Sequence, residues 1–207
     1  MTSKSKLVPA KAQNQSKNTL ILASGSRYRA ELLQRLRLPF TQQSSDVDEA
    51  EQPGEAPAAL ALRLAVEKAQ VVAERNPGCW VLGSDQVAAL GQNRLGKPGV
   101  RTRAIQQLKL LSGRSVQFVT AVALLRHGEP ARTALDTTVV RFRKLSAAEI
   151  ERYVDAEPAF DCAGSFKCEG LGITLCESIE TRDPTALIGL PLIATRALLA
   201  EAGYVLS

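Results

Sequence analysis

The segment Cys79–Leu90, C-W-V-L-G-S-D-Q-V-A-A-L, follows the turn cluster Asn76-Pro77-Gly78 and has the short apolar pattern of a fully covered strand. Within it Val81–Gln86 breaks the pattern with an acid, Asp85. An ionised carboxylate buried there costs on the order of several kcal/mol unless cations or a metal face it. The chain has candidates for that company: Lys68 inside a helix stripe, Lys97 in the turn Gly96-Lys97-Pro98, and Arg27 and Arg29 after Ser24-Gly25-Ser26. A lone strand aspartate also caps or pairs structurally. It is the set of cations that favours chemistry.

At 207 residues, 45 % apolar and 23 % charged, the chain has the composition of an ordinary globular domain. The formal charge of +5 invites a nucleic-acid reading, but four lysines (4, 6, 11 and 17) lie in the first 18 residues, which hold no acid. Without them 22 basic residues face 21 acidic ones, a net of +1, so no stable nucleic-acid partner is expected. Residues 1–18 read as a disordered polar tail and 19–207 as one domain. The tail lacks the apolar centre of a secretory signal. No run approaches a membrane span of roughly 18 apolar residues, and the expected compartment is the cytoplasm. Cys79, Cys162, Cys168 and Cys176 form no C-x-x-C pair, and His127 is the single histidine, so zinc and His-based chemistry are disfavoured.

Periodicity and turn signals predict a strand over Thr19–Ala23, a helix over Arg27–Leu36, a strand over Pro39–Gln43 and a long helix over Pro57–Arg75. Next come the strand Cys79–Leu90, a hairpin-like connection over Gly91–Pro98 and a helix over Thr102–Leu111. Ser115–Arg126 and Ala131–Phe142 read as an antiparallel ribbon. Ser146 and Glu149 have the offset of a capping box. A strand over Gly172–Cys176 and a closing helix over Leu190–Glu201, with Pro191 in its first turn, complete an α/β domain with a mixed sheet.

Three clusters suggest phosphate chemistry. Ser24-Gly25-Ser26-Arg27-Tyr28-Arg29 lies where a strand meets a helix N-terminus and would suit a phosphate, although a serine there is also an ordinary N-cap. In Leu60, Leu64, Lys68, Val72 a lysine takes the centre of an apolar stripe, either snorkelling to the edge or turned inward toward an anion. The loop acids Asp46, Asp48 and Glu49 are a solvated loop or ligands for Mg²⁺ or Mn²⁺. Cradle, lysines and acids together point to phosphoryl or nucleotidyl transfer.

The run L-I-L-A-S-G-S-R-Y-R, then V-D-E, E-K-A, G-S-D-Q-V, G-K-P and L-S-G-R resembles the Maf family of nucleoside triphosphate pyrophosphatases, in order and over nearly all of the chain after the tail. One departure is Gly25-Ser26-Arg27, where the family typically has Ser/Thr-Ser-Pro. The resemblance implies a twisted mixed sheet flanked by helices, as in Maf and inosine triphosphatase-like proteins. It implies Asp85 as proton acceptor, with Ser24, Ser26, Arg29, Glu49, Lys68 and Lys97 around the triphosphate and Glu49 and Asp85 at a divalent Mg²⁺ or Mn²⁺.

Asp85-Gln86 and Cys162–Gly170 resemble the branch acting on 7-methyl-GTP, and in that branch Tyr28, Gln86 and Glu169 would set base choice. The implied role is hydrolysis to the monophosphate and pyrophosphate, keeping modified nucleotides out of nucleic acids. The alternatives are dTTP or UTP as substrate, or a non-catalytic inhibitor of cell division. Self-association as a homodimer is left open.

Overall fold

The computed structural model describes residues 19–206. The tail expected over residues 1–18 lies outside the described residues. The strands are β1 (Leu20–Ala23), β2 (Phe40–Gln43), β3 (Trp80–Leu90), β4 (Asn93–Leu95), β5 (Ser115–Leu125), β6 (Arg132–Phe142) and β7 (Cys176–Glu180). The α-helices are α1 (Arg27–Gln34), α2 (Pro57–Arg75), α3 (Arg101–Leu111), α4 (Ala147–Ala156) and α5 (Leu192–Glu201). The strands form one sheet in the order β2-β1-β3-β5-β6-β7, with β4 added to β3. β1 runs parallel to β2 and β3, and the remaining pairs are antiparallel, so the sheet is mixed as the sequence suggests.

The register of β3 creates the opening on which the site depends. One edge is continuously paired with β5 from Val81 to Ala89. On the other edge β1 covers Trp80–Leu82 and β4 covers Ala88–Leu90, so residues 83–87 have no strand beside them there. The gap lies beyond the carboxyl end of parallel β1, where α/β sheets commonly bind ligands. Asp85 sits in mid-strand, within this open stretch.

Side chains alternate across β3. Val87 packs beneath α2 with Leu60, Ala61, Leu64 and Ala65, whereas Leu82 joins Leu22, Leu124 and Leu199 on the α5 side. Glycine at 83 lets α2 come close, because a Cβ there would lie inside contact distance of the Ala65 carbonyl and only 2.9 Å from the Ala69 amide nitrogen. The helix cannot approach as closely over any larger residue. Lys68, on the same helical face as Ala65 and Ala69, is thereby delivered to the sheet.

Two expectations need correction. Leu171–Leu175 is a 3₁₀ turn, and the strand begins only at Cys176. The Gly172 amide donates to the Lys167 carbonyl and the Thr174 hydroxyl to Leu171 O at 2.7 Å, so local bonds close the chain on itself instead of extending it. Pro191 is the N-cap of α5, one place before its first turn. The Ser146–Glu149 capping box forms as expected, and the hairpin turns at Gly91-Gln92 between β3 and β4.

Gly83→Ala is expected to lower stability by roughly 1–3 kcal/mol, the usual range for overpacking a tight contact. Turnover should fall as well, because α2 must carry Lys68 away from β3. Thermal melting and a turnover assay read both, and an unchanged melting temperature would refute the close-approach argument.

Candidate active site

A cleft of about 840 Å³ opens at the unpaired stretch of β3. Asp85 and Lys68 are each only 6 % exposed, so the lysine does not snorkel outward. Its Nζ lies 2.7 Å from Asp85 Oδ1 and 2.5 Å from Glu49 Oε1, which makes one ammonium the bridge between a strand carboxylate and a loop carboxylate. Asp85 Oδ2 accepts no hydrogen bond from the described residues. Burial acts to raise the Glu49 carboxyl, but the hydrogen bond and charge of Lys68, then Lys97 and Arg29, outweigh it and hold the group below its ordinary value. Burial pushes the Arg29 guanidinium down, against the pull of Asp85 and Glu49.

The β1–α1 junction forms the opposite wall. Ser26 caps α1, its hydroxyl accepting from the Arg29 amide at 3.4 Å, so the ordinary capping role is present. The same helix N-terminus lines the cleft with Arg27, Tyr28 and Arg29 of its first turn, and helix N-termini favour anions. Ser24 Oγ accepts from the Ser26 amide at 3.1 Å and from Arg29 Nη1 at 3.4 Å. Gln42 on β2 donates to the carbonyl of Ser24 at 2.6 Å and to that of Ser26 at 3.3 Å, bracing the loop from both sides of Gly25. Gly25 passes close to the neighbouring loop: a Cβ there would stand 3.0 Å from Ser44 Oγ, and the serine would have to shift.

The three loop acids separate. Glu49 meets Lys68, Asp46 lines the cleft, and Asp48 Oδ1 is occupied by the Ala50 amide at 3.0 Å. Lys97 lines the cleft from a turn whose Gly96 carbonyl accepts from Gln107 Nε2 at 2.9 Å. A smaller recess of about 110 Å³ continues from the cleft, sharing Tyr28, Gln86 and Lys97 with it and adding Phe166, Glu169 and Leu187. Gln86 Nε2 donates to Thr120 Oγ1 at 3.0 Å and to the carbonyls of Ala186 and Leu187, each at 2.9 Å.

The Tyr28 ring already has cations beside it, with Arg27 Cζ 4.8 Å and Lys167 Nζ 5.6 Å from its centroid. Every residue that the resemblance places at the site lines one of the two cavities, whereas Asp48 of the loop acids lines neither.

Sequence reasoning missed Arg94, whose Nη1 donates to the Glu49 carbonyl at 3.0 Å and fixes the acidic loop. It also missed Asp161, which lines both cavities. Arg94 belongs to a three-residue strand with no pattern of its own, and Asp161 to an irregular loop. Neither carries a periodic signal. The thiols beside the recess are not poised nucleophiles: burial, then Asp161 for Cys162 and Glu169 for Cys168, pushes each up to about 12.

Among the described residues no group of three or more His, Cys, Asp or Glu side chains is arranged to hold a metal. Glu49 and Asp85 offer two carboxylates drawn together by one ammonium. Such a pair suits Mg²⁺ or Mn²⁺ only when a substrate's phosphate oxygens and water complete the shell.

A family model described as Maf-like protein matches residues 19–202. The chain belongs to the Maf family. It is 61 % identical over 185 residues to a protein of Xanthomonas oryzae pv. oryzae (strain MAFF 311018) named 7-methyl-GTP pyrophosphatase, covering 89 % of this chain and 97 % of that one. A protein of the same name from Bordetella parapertussis (strain 12822 / ATCC BAA-587 / NCTC 13253) is 56 % identical over 184 residues, covering 89 % and 92 %. Among solved structures, the Staphylococcus aureus Ham1 protein is similar with a TM-score of 0.44 and 15 % identity, over 61 % of this chain and 72 % of that one. No helix among the described residues is long and apolar enough to cross a membrane.

Lys68→Met tests the buried bridge. Leaving the Asp85 charge without its ammonium should cost roughly 3–5 kcal/mol near pH 7, the range for breaking a buried pair. In the intact protein the depressed Glu49 carboxyl contributes stability above its unfolded value of about 4.3, and that contribution is lost as pH falls through the lower folded value. The variant lacks the ammonium that holds Glu49 down and so lacks this contribution. The gap in melting temperature between the two proteins should therefore narrow below about pH 4; a gap constant with pH would contradict the bridge.

Proposed function

We propose that this Maf protein hydrolyses 7-methyl-GTP to 7-methyl-GMP and pyrophosphate in the cleft at the open edge of β3. The observation that carries the reading is the pair Lys68–Asp85: a buried strand carboxylate is held by an ammonium at 2.7 Å through one oxygen, in a cleft that Arg29, Arg94 and Lys97 also line. Kinship with proteins named for this activity supports the same substrate.

In this reading the triphosphate lies against the first turn of α1, where backbone amides, Ser24 and Ser26 are donors and Arg29, Lys68 and Lys97 offset its charge. Asp85 takes the proton of a water whose oxygen attacks phosphorus at the anhydride between the α- and β-phosphates. The new P–O bond forms as the bond to the bridging oxygen breaks, and pyrophosphate leaves with the electron pair. Lys68 fixes the direction of the Asp85 carboxylate. Mg²⁺ or Mn²⁺ held by Glu49 and Asp85 would supply neutralisation of phosphate charge.

Base choice falls to the recess. Gln86 has committed its amide hydrogens to Thr120 and two carbonyls, which leaves its oxygen as an acceptor. Glu169 adds a carboxylate, and Lys167 is partly neutralised by Glu157 at 3.1 Å. An N7-methylated guanine carries positive charge and presents N–H donors, so an acceptor and a carboxylate suit it.

A panel of nucleoside triphosphates with pyrophosphate detection tests the reading. It predicts 7-methyl-GTP as the best substrate, loss of turnover in metal-stripped enzyme and recovery with Mg²⁺ or Mn²⁺. Preference for dTTP or UTP, or no hydrolysis at all, would reject it. Glu169→Gln should lower kcat/KM for 7-methyl-GTP more than for unmethylated GTP, by about ten-fold, as suits one charge-assisted contact. Equal losses on both would remove Glu169 from base choice.

A further inference from the structure

The backbone of one short segment holds side chains from both ends of the cleft. Gly189 O accepts from Arg29 Nε at 2.9 Å and from Ser84 Oγ at 3.0 Å. Three residues earlier, Ala186 O accepts from Gln86 Nε2 and from Thr120 Oγ1, both at 2.9 Å, and Leu187 O accepts again from Gln86. Arg29 faces the triphosphate side and Gln86 the base side. They come from different elements, α1 and β3, and the carbonyls of 186–189 are what they share. Those carbonyls also dictate which way the Gln86 amide turns, because only its NH₂ can satisfy them.

The segment is itself locked by a residue that touches neither cavity. Asp183 is 3 % exposed, and its Oδ1 accepts from the amide and the hydroxyl of Thr185 at 2.9 and 2.5 Å. Its Oδ2 accepts from the Ile193 amide at 2.7 Å, in the first turn of α5, and Thr185 Oγ1 accepts from the Leu192 amide at 2.9 Å. A carboxylate thus ties the start of the segment to a helix N-terminus, where amides lack partners and negative charge is favoured. At the far end Gly189 has φ +124° and donates to the carbonyls of Thr185 and Ala186, closing the segment into a rigid loop.

We propose that Asp183 is a positioning residue for substrate choice. By fixing the carbonyls of Ala186, Leu187 and Gly189, it sets Gln86 and Arg29 together and couples base selection to triphosphate alignment. The proposal rests on the functional reading above for the roles of those two side chains.

The test uses the full-length enzyme. Asp183→Asn keeps the shape and the acceptor for Thr185 but turns an NH₂ toward the Ile193 amide, opening the lock at α5. Amide hydrogen exchange over Ala186–Leu190 should quicken, kcat/KM for 7-methyl-GTP should fall about ten-fold, and the preference over unmethylated GTP should narrow at least about three-fold. Thr185→Val, which removes only the hydroxyl bridge, should give the same signature in smaller amplitude and serves if Asp183→Asn does not fold. Faster exchange with an unchanged preference would overturn the proposal, making the segment a brace for the fold alone. A changed preference without faster exchange, or no change in either, would overturn it too. Should the wild-type enzyme favour another nucleotide, the substrate reading fails, while the ratio between its best and next substrates still tests the coupling.

Discussion

The Lys68 ammonium is the interaction on which the rest depends. An aspartate in the middle of a covered strand is tolerable only if a cation reaches it, and a lysine in the apolar stripe of a helix only if an anion does. Each solves the other's problem at 2.7 Å, and the shared contact with Glu49 draws in the loop that follows β2. The structure accordingly spends a glycine at 83 to let α2 approach. It also leaves five residues of one β3 edge unpaired, so that the pair faces a cleft instead of a closed core.

That opening explains how one strand serves two purposes. Asp85 points toward α2 and Gln86 toward the segment before α5, yet both reach the cavity because no neighbouring strand covers them on that edge. The phosphate-facing groups and the base-facing groups are therefore consecutive residues on a rigid element. A site built on a strand keeps its geometry more closely than one built on loops. The loops that complete it are fastened individually: Ser24-Gly25-Ser26 by Gln42, the acidic loop by Arg94, and the segment 185–190 by Asp183.

Much of this was legible in the sequence because the informative residues violate a pattern. Lys68 stands out against Leu60, Leu64 and Val72, and Asp85 against Val81 and Leu82; the structure brings the two anomalies into contact. Helices with caps and long strands were equally readable, as the Ser146–Glu149 box and the β5–β6 ribbon illustrate. What stayed hidden was set by backbone or by irregular chain. Carbonyl groups carry no sequence identity, so the hold of Ala186 and Gly189 on Gln86 and Arg29 had no signal. Arg94 lies on a strand too short to show a period, and the turn over Leu171–Leu175 has the composition of a strand but is closed by local bonds.

The central claim is that the buried pair is catalytic machinery and not a structural ion pair. Asp85→Asn tests it most directly, because the amide keeps the size of the side chain but cannot take a proton at neutral pH. The account predicts a folded protein that still binds nucleotide, while pyrophosphate release falls about 10²-fold or more, the range for removing a positioned base. Near-normal turnover in the folded variant would contradict it and return Asp85 to a structural role.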